Sequence, residues 1–192
     1  MEEQKNFVAA YKLYEACSPK KEAYSEAFRY VWFSRGYAYA SNRHIVVRAN
    51  IKNISSFTEE EIALLDGKKI ERDLFKQLLK HEYVDIREDG FYAQEENKEV
   101  LYRFDSKEDI KMPKFENIIQ DAIQATKHGT PLTAIGISAV EFQYLAKAIG
   151  AEGSLSNKLA LRFSNPNSAI IVEHCNELID FTIGLIMPIL LD

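Results

Sequence analysis

Three strand-like segments follow one another in the first quarter of the chain, and tight turns separate them. Residues 28–33 are rich in aromatic and β-branched side chains, and Arg35-Gly36 is a turn dipeptide. Residues 37–40 and residues 45–47 continue the alternation of side chains. Period-two alternation with short turns is typical of neighbouring antiparallel strands. The segment therefore predicts an antiparallel meander.

Two helices carry N-cap signals in the sequence. Thr58 with Glu61 forms a T-x-x-E capping box, and Ser138 with Glu141 forms the S-x-x-E equivalent. Glycines follow both segments, as expected at a helix end. Residues 7–16 suit either a short helix or an irregular entry from a strand into a helix. A further helical face is predicted from the spacing of Ile70, Leu74, Phe75, Leu78 and Leu79.

The remaining chain alternates strands, one helix and a polar segment. A hairpin is predicted at Asp89-Gly90, a linker over residues 105–114, and an amphipathic helix from Ile118 that ends near Gly129. Further strands are predicted at 83–86, 91–93, 100–104, 132–137, 158–163, 169–173 and 181–186. A strand, a short helix and then antiparallel strands recur over 7–51, 69–105 and 132–187. This predicts an α+β fold with antiparallel sheets and helices on one side.

Composition limits the class of protein. The 192 residues carry a net charge of −5, which argues against a uniformly basic nucleic-acid binder but not against a basic face. Cys17 and Cys175 lie far apart, so we expect neither a disulfide framework nor a cysteine-based zinc site. No signal peptide is expected, and the apolar stretch 181–191, interrupted by Pro188, is too short to span a membrane. These features predict a cytoplasmic protein.

No catalytic residue, metal or cofactor is predicted. The sequence lacks the glycine-rich phosphate-binding motifs, the G-x-S-x-G motif and the H-E-x-x-H motif. His174, Cys175 and Glu177 are spaced closely enough for a metal, but nothing nearby supplies further ligands, which favours a polar turn. An enzyme with an unrecognised site is still a possible interpretation, but the absence of these motifs makes it the weakest hypothesis.

Two stretches resemble a known family. Gly36–Val47 resembles the strand–turn–strand of bacterial DNA sliding clamps, the β subunit of DNA polymerase III, usually written ATDGHRLA. Ala40, Ser41, Asn42 and His44 match or nearly match, whereas Arg43 replaces a glycine and Ile45 an arginine. Residues 184–191 resemble the closing strand V-M-P-[MVI]-R-L of that family, with Leu190 in place of the arginine.

The resemblance extends over most of the chain. Residues 138–149 followed by 159–163 and 168–172 look like the last helix and hairpin of a clamp, and 111–119 looks like the segment that ends its middle domain. It implies two clamp-like domains, one over 1–112 similar to a middle domain and one over 113–192 similar to the second half of a last domain. The first clamp domain is expected to be absent.

The resemblance implies a non-catalytic, clamp-like processivity or partner-recruiting factor on double-stranded DNA, bound without sequence specificity. It implies a homo-oligomer and a groove that takes short peptides of polymerase or repair proteins. The groove positions are Arg43, His44, Val46, Met187, Pro188, Ile189 and Leu190. The DNA-facing positions are Lys12, Lys76, Lys80, Lys127 and Lys147.

Two alternatives remain open at this point. The same fold is compatible with a peptide-binding interaction module that does not encircle DNA. The lysines are also what any solvated helix carries, and Met187-Pro188 is also how a core strand ends.

Overall fold

Ten strands form two antiparallel sheets in the computed structural model, which describes residues 5–21, 25–95, 98–126, 135–151, 159–165, 168–174 and 182–189. The strands are β1 (Tyr30–Ser34), β2 (Tyr37–Ser41), β3 (Ile45–Asn50), β4 (Lys69–Glu71), β5 (Val84–Arg87), β6 (Gly90–Glu95), β7 (Lys98–Arg103), β8 (Leu159–Arg162), β9 (Ile170–His174) and β10 (Ile183–Ile186). The helices are α1 (Ile51–Ile54), α2 (Glu59–Leu64), α3 (Arg72–Leu78), α4 (Phe115–Thr126) and α5 (Ala139–Ala148), with 3₁₀ turns at Leu13–Ala16 and Glu26–Arg29.

The larger sheet combines strands from the N-terminal part of the chain with strands from its C-terminal part. Its seven strands run in the order β4-β1-β2-β3-β10-β9-β8, and β5-β6-β7 form the smaller sheet. The junction is the antiparallel pair β3–β10, in which Val46 lies opposite Leu185. A boundary at residue 112 therefore divides a chain whose two parts share one continuous sheet, and the two-domain division stays a prediction.

Side-chain alternation gives the larger sheet two apolar faces. The first face is buried against the 3₁₀ turn Leu13–Ala16, α3, α5 and the smaller sheet, and its residues include Val31, Phe33, Ala40, Ile45 and Val47. The second face is buried against α4, and its residues include Trp32, Tyr39, Val46, Ile171 and Leu185. The predicted α+β class with antiparallel sheets is confirmed, and α4 adds a helix on the face that the prediction left without one.

Local signals explain most element boundaries. The Thr58 Oγ1 accepts from the Glu61 N–H at 3.3 Å and the Glu61 carboxylate accepts from the Thr58 N–H at 3.0 Å, so the capping box is complete. Gly67 follows α2 with a φ of 74°, a left-handed conformation that ends the helix without a Cβ clash. The meander, the β5–β6 hairpin and the β8–β9 hairpin are also confirmed.

Three expectations are corrected or sharpened. Ile70 lies in β4 opposite Val31, where it is fully buried, and not on the helical face assigned to it. The segment 7–16 is mostly irregular and contributes the 3₁₀ turn and one isolated bridge, between Phe7 and Ser55. Gly90 begins β6 opposite Arg87 instead of sitting within the turn. The predicted helix end at Gly129 and residues 132–134 of the strand predicted over 132–137 lie outside the described residues. The described remainder of that strand forms only an isolated bridge, between Gly136 and Ile189.

Candidate functional site

The β2–β3 turn and the end of β10 lie side by side where the central strands of the larger sheet end. The Met187 N–H donates to the His44 carbonyl at 3.0 Å, one residue beyond the last β3–β10 pair. The Ile189 N–H donates to the Gly136 carbonyl at 2.9 Å. The side chains of Met187 and Ile189 are 45% and 51% exposed. His44 thus lies beside residues about 143 positions further along the chain. We call the partly apolar surface formed by His44, Met187 and Ile189, with their neighbours Arg43 and Pro188, the groove.

The turn itself is built by short polar side chains. The Asn42 Oδ1 accepts from the N–H groups of His44 and Ile45 at 3.0 and 3.1 Å, and the Ser41 Oγ accepts from the Arg43 N–H at 3.0 Å. These bonds hold Arg43 at a φ of 88°, in the left-handed region. A residue with a side chain is strained there, so the bonds offset the absence of a glycine.

A side-chain hydrogen bond attaches this turn to α5. The Asn42 Nδ2 donates to the Glu141 Oε2 at 2.8 Å, while the Glu141 N–H donates to the Ser138 Oγ at 3.3 Å. The S-x-x-E pattern predicted that Glu141 takes part in a capping box at the start of α5. In the structure its carboxylate accepts a hydrogen bond from Asn42 of the β2–β3 turn. The sequence therefore missed Asn42 and Glu141 as residues that position the groove, since their separation along the chain gives no local signal.

The prediction that Val46 lines the groove is wrong. Its side chain is buried on the second face, opposite Leu185 and in the cluster that contains Phe115 and Ile119 of α4. Alternation along β3 puts Ile45 and Val47 on the first face, so Val46 must point to the other. The groove residues that the structure describes as accessible are Arg43, His44, Met187, Pro188 and Ile189, and Leu190 lies outside the described part.

A polar cleft of about 340 Å³ adjoins the groove at His44. Glu15, Arg72 and Tyr144 line it together with His44 and the Asn42–Glu141 pair. Cys17 also reaches the cleft lining, but the residue is buried, and burial raises the pKa of its thiol to about 12. A thiol with so high a pKa is protonated at neutral pH, which disfavours Cys17 as a nucleophile.

Three of the predicted DNA-facing lysines lie on packed neighbouring elements. The Lys12 N–H donates to the Lys147 carbonyl at 3.2 Å, which places the start of the 3₁₀ turn beside the end of α5. On α3, the Lys76 Nζ lies 5.4 Å from the centroid of the Tyr14 ring, in that same turn. Lys80 is exposed just after α3, and Lys127 lies outside the described residues. We call Lys12, Lys76 and Lys147 the lysine group.

A second lysine-lined cleft, of about 650 Å³, was not predicted. It lies beside β1 and β4, and its lining includes Trp32, Lys68, Lys107 and Lys111. Lys107 is paired with Glu26 at 2.7 Å, so part of this positive charge is already neutralised. Lys68 precedes Lys107 and Lys111 by about 40 positions, so no local spacing in the sequence brings the three together.

The described residues contain no group of three or more His, Cys, Asp or Glu side chains arranged to hold a metal ion. Of the three residues considered as a metal site, His174 ends β9, while Cys175 and Glu177 fall outside the described part. Within the same part of the chain, none of the helices has the length and apolarity that crossing a bilayer requires. The absence of catalysis stays a prediction.

The fold is similar to that of bacterial sliding clamps. The chain matches the β subunit of DNA polymerase III from Thermotoga maritima with a TM-score of 0.59 and 8% identity over 98% of the chain. It matches the griselimycin-bound clamp of Bartonella birtlesii (TM-score 0.58, 8% identity, 96% covered) and the Helicobacter pylori clamp bound to a DNA ligase peptide (TM-score 0.58, 13% identity, 98% covered).

The match is structural and partial. The chain spans 65%, 63% and 65% of the lengths of those three structures. No protein-family model and no curated protein matches the sequence. Identities of 8–13% establish a shared fold, and the fold alone does not establish the activity.

Proposed function

We propose that this protein is a non-catalytic, clamp-like factor that recruits partner proteins to double-stranded DNA through short peptides. The observation that carries the proposal is the junction of β3 with β10, which brings His44 beside Met187 and leaves Met187 and Ile189 accessible. The motif resemblance of the sequence indicates the same three positions. A clamp of this fold from Helicobacter pylori holds a DNA ligase peptide.

The groove suits a peptide with an apolar anchor. The Met187 backbone is fixed by its bond to His44, while its thioether side chain remains free to adapt to the shape of an anchor. Ile189 adds a second apolar contact on the same strand end, and the polar cleft at His44 offers hydrogen-bonding groups beside it. Apolar anchors with a polar margin are how peptide grooves obtain affinity and orientation.

Binding to DNA would use the lysine group on the first-face elements. Positive side chains that contact phosphates release counterions and do not read sequence, so the complex is weakened by salt and is able to slide. The chain as a whole is acidic, with a net charge of −5. An acidic molecule with a basic helix surface restricts DNA to that surface. Self-association of several copies is part of this proposal.

The alternative is a peptide-binding module that does not bind DNA. It is favoured by the pairing of many basic side chains with acidic ones. Arg29 is bonded to Glu71, and Arg87 forms a bidentate pair with Glu99 at 2.6 and 3.0 Å. Such pairs leave less positive charge for phosphate, which favours a module that binds a peptide without DNA.

Fluorescence anisotropy tests the groove. The probe is a labelled peptide with the sequence of the DNA ligase segment that occupies the Helicobacter pylori clamp. We expect micromolar binding that falls roughly tenfold in Met187→Ala and in His44→Ala, the size of loss typical of interface anchors. Leu64→Ala is the matched control, since Leu64 is an exposed apolar residue of α2. Equal affinity in all four proteins would exclude the groove.

The DNA component is tested separately with a labelled duplex of roughly 30 base pairs at two salt concentrations. We expect binding at about 50 mM salt that weakens strongly at about 200 mM, and the same affinity for unrelated duplex sequences. Peptide binding without any DNA binding would establish the alternative module. Loss of both would overturn the proposed function.

A further inference from the structure

The lysine-lined cleft beside β1 and β4, which we call the β1–β4 cleft, contains a buried ammonium group. The Lys69 side chain is only 8% exposed. Among the described residues its Nζ donates a single hydrogen bond, to the Lys107 carbonyl at 2.7 Å. The Asp105 Oδ1 lies 3.7 Å from the same Nζ, which is beyond hydrogen-bond distance. Because an ammonium group has three N–H donors, Lys69 keeps hydrogen-bonding capacity at the lining of the cleft.

Internal hydrogen bonds occupy the Asp105 carboxylate. Its Oδ2 accepts from the Tyr30 hydroxyl at 2.9 Å, and its Oδ1 accepts from the Lys107 N–H at 2.8 Å. The Lys107 ammonium is paired in turn with Glu26. Asp105 and Lys107 therefore contribute little net charge to a ligand in the cleft.

Two further lysines of the lining have no acidic partner in the described part of the chain. Lys111 is exposed, and the Lys68 Nζ lies 5.8 Å from the centroid of the Phe104 ring. A contact with a ring face leaves the N–H donors of Lys68 able to bind an anion. Glu108, which is exposed, is the remaining acidic residue of the lining. The β1–β4 cleft thus has an excess of positive charge.

The floor of the cleft is apolar. Trp32, Ile110 and Met112 line it, and all three belong to the second-face cluster. The cleft volume of about 650 Å³ lies within the range of small-molecule sites, about 300–1,000 Å³. An apolar floor next to several ammonium groups fits a ligand that has a flat apolar body and an anionic tail.

We propose that the β1–β4 cleft binds a nucleoside diphosphate. The phosphates would accept from Lys68, Lys69 and Lys111, and the base would lie on the apolar floor. Glu108 would accept from the sugar hydroxyls, which a carboxylate does well. Since Trp32 and Met112 belong to the second face, this site is separate from the lysine group on the first-face elements. It adds a small-molecule ligand to a protein whose proposed function involves peptide and duplex.

Trp32 provides a direct measurement of binding. It is the only tryptophan of the chain, and its Nε1 donates to the Ala27 carbonyl at 2.8 Å. The Lys69 Nζ lies 5.3 Å from the centroid of its ring. An anion that binds Lys69 changes the electric field at the indole, so we expect a saturable change of emission with micromolar ADP at constant ionic strength. Inorganic pyrophosphate and adenosine should each bind at least roughly tenfold more weakly, because each makes only part of the contacts.

Surface variants assign the response to the cleft. Lys68→Gln and Lys111→Gln are each expected to weaken ADP binding roughly tenfold, as the loss of a charged hydrogen bond does. Lys80→Gln is the matched control, since Lys80 is exposed just after α3 and does not line the cleft. Glu108→Gln should weaken the binding of ADP but not of pyrophosphate. Isothermal titration calorimetry repeats each measurement without using Trp32 emission.

Several results would overturn this site. They are the absence of a saturable response to ADP in both measurements, equal affinities for pyrophosphate and ADP, and equal losses in Lys68→Gln and Lys80→Gln. Displacement of ADP by the duplex of roughly 30 base pairs would also overturn it, because the cleft would then belong to the DNA surface. A protein that binds ADP but neither peptide nor duplex removes the proposed function alone, whereas the reverse result removes the nucleotide site alone.

Discussion

Asn42 and Glu141 are joined by a 2.8 Å hydrogen bond although 99 residues separate them along the chain. The bond connects the β2–β3 turn, which contains His44, to α5. Asn42 also accepts the N–H groups of His44 and Ile45, so one side chain shapes the turn and attaches it to a helix. The position of the His44 carbonyl, and with it Met187, depends on this side chain.

Replacing Asn42 is therefore expected to loosen the groove. Asn42→Ala removes three hydrogen bonds and should lower the free energy of unfolding by about 1–3 kcal/mol, with a parallel loss of peptide affinity. Glu141→Gln is the matched control, since an amide oxygen still accepts from the Asn42 Nδ2. Urea denaturation and peptide anisotropy measure the two effects. Equal losses in both variants would contradict the role assigned to the turn bonds.

Glu116 anchors α4 to the second face. Its carboxylate accepts from the Tyr39 hydroxyl at 2.9 Å and from Arg48 at 2.7 Å, and Gln120 donates from within the helix at 2.7 Å. Burial acts to raise the pKa of Glu116, but these hydrogen bonds outweigh it and hold the pKa below its ordinary value of 4.5. The ionised carboxylate is thus stabilised in the folded state.

A pH dependence follows from the lowered pKa. Glu116 contributes stability above its unfolded pKa, and that contribution is lost as the pH falls through the folded pKa, below about 4.5. We expect Glu116→Gln to cost about 0.5–1 kcal/mol at neutral pH, a modest value because the side chain is partly exposed and screened. The difference from wild type should shrink as the pH falls well below 4.5. A difference that stays constant in urea denaturation across this range would be inconsistent with this anchor.

Local signals in the sequence predicted local structure well. The Thr58–Glu61 box fixes the start of α2 through groups three residues apart, and the alternation of β3 puts Ile45 and Val47 on one face. The same alternation places Val46 on the second face, whereas the family resemblance assigned Val46 to the groove. Covering of the second face by α4 was not predictable, because it depends on a tertiary contact between Phe115 and the Tyr39 ring.

The groove was predicted in part for the same reason. Motif resemblance indicates Met187 and His44, and the β3–β10 pairing brings them together. Asn42 and Glu141 each belong to a local motif, but no motif indicates the bond between them, because a hydrogen bond between a turn and a helix surface depends on how the sheet closes. Hydrophobic periodicity reports which face a residue occupies and not which distant element covers it.

Gly90 is required by close packing in the smaller sheet. A Cβ at this position would lie 2.5 Å from the Tyr102 carbonyl oxygen and 2.9 Å from the Arg103 Cα, both backbone atoms of β7. We expect Gly90→Ala to lower the free energy of unfolding by about 1–3 kcal/mol, as overpacking does. Urea denaturation provides the measurement.

Gly184→Ala provides the comparison for Gly90→Ala. At residue 184 the added Cβ meets the Leu145 Cδ1 at 2.5 Å, which is the end of a side chain that has rotamers to change. We expect a smaller loss than at residue 90. A Gly90→Ala protein as stable as wild type would show that β7 moves freely and would contradict the packing argument.

The lysine group, on the elements that cover the first face of the larger sheet, should set the salt dependence of DNA binding. Each phosphate contact contributes about 0.9 to the slope of log K against log salt concentration. We expect the double variant Lys76→Gln, Lys147→Gln to reduce that slope by about 2 and to weaken binding to all duplex sequences alike. Lys111→Gln is the control, because Lys111 is exposed beside the second face. If the control lowered the slope as much per lysine removed, DNA would not be confined to the lysine group.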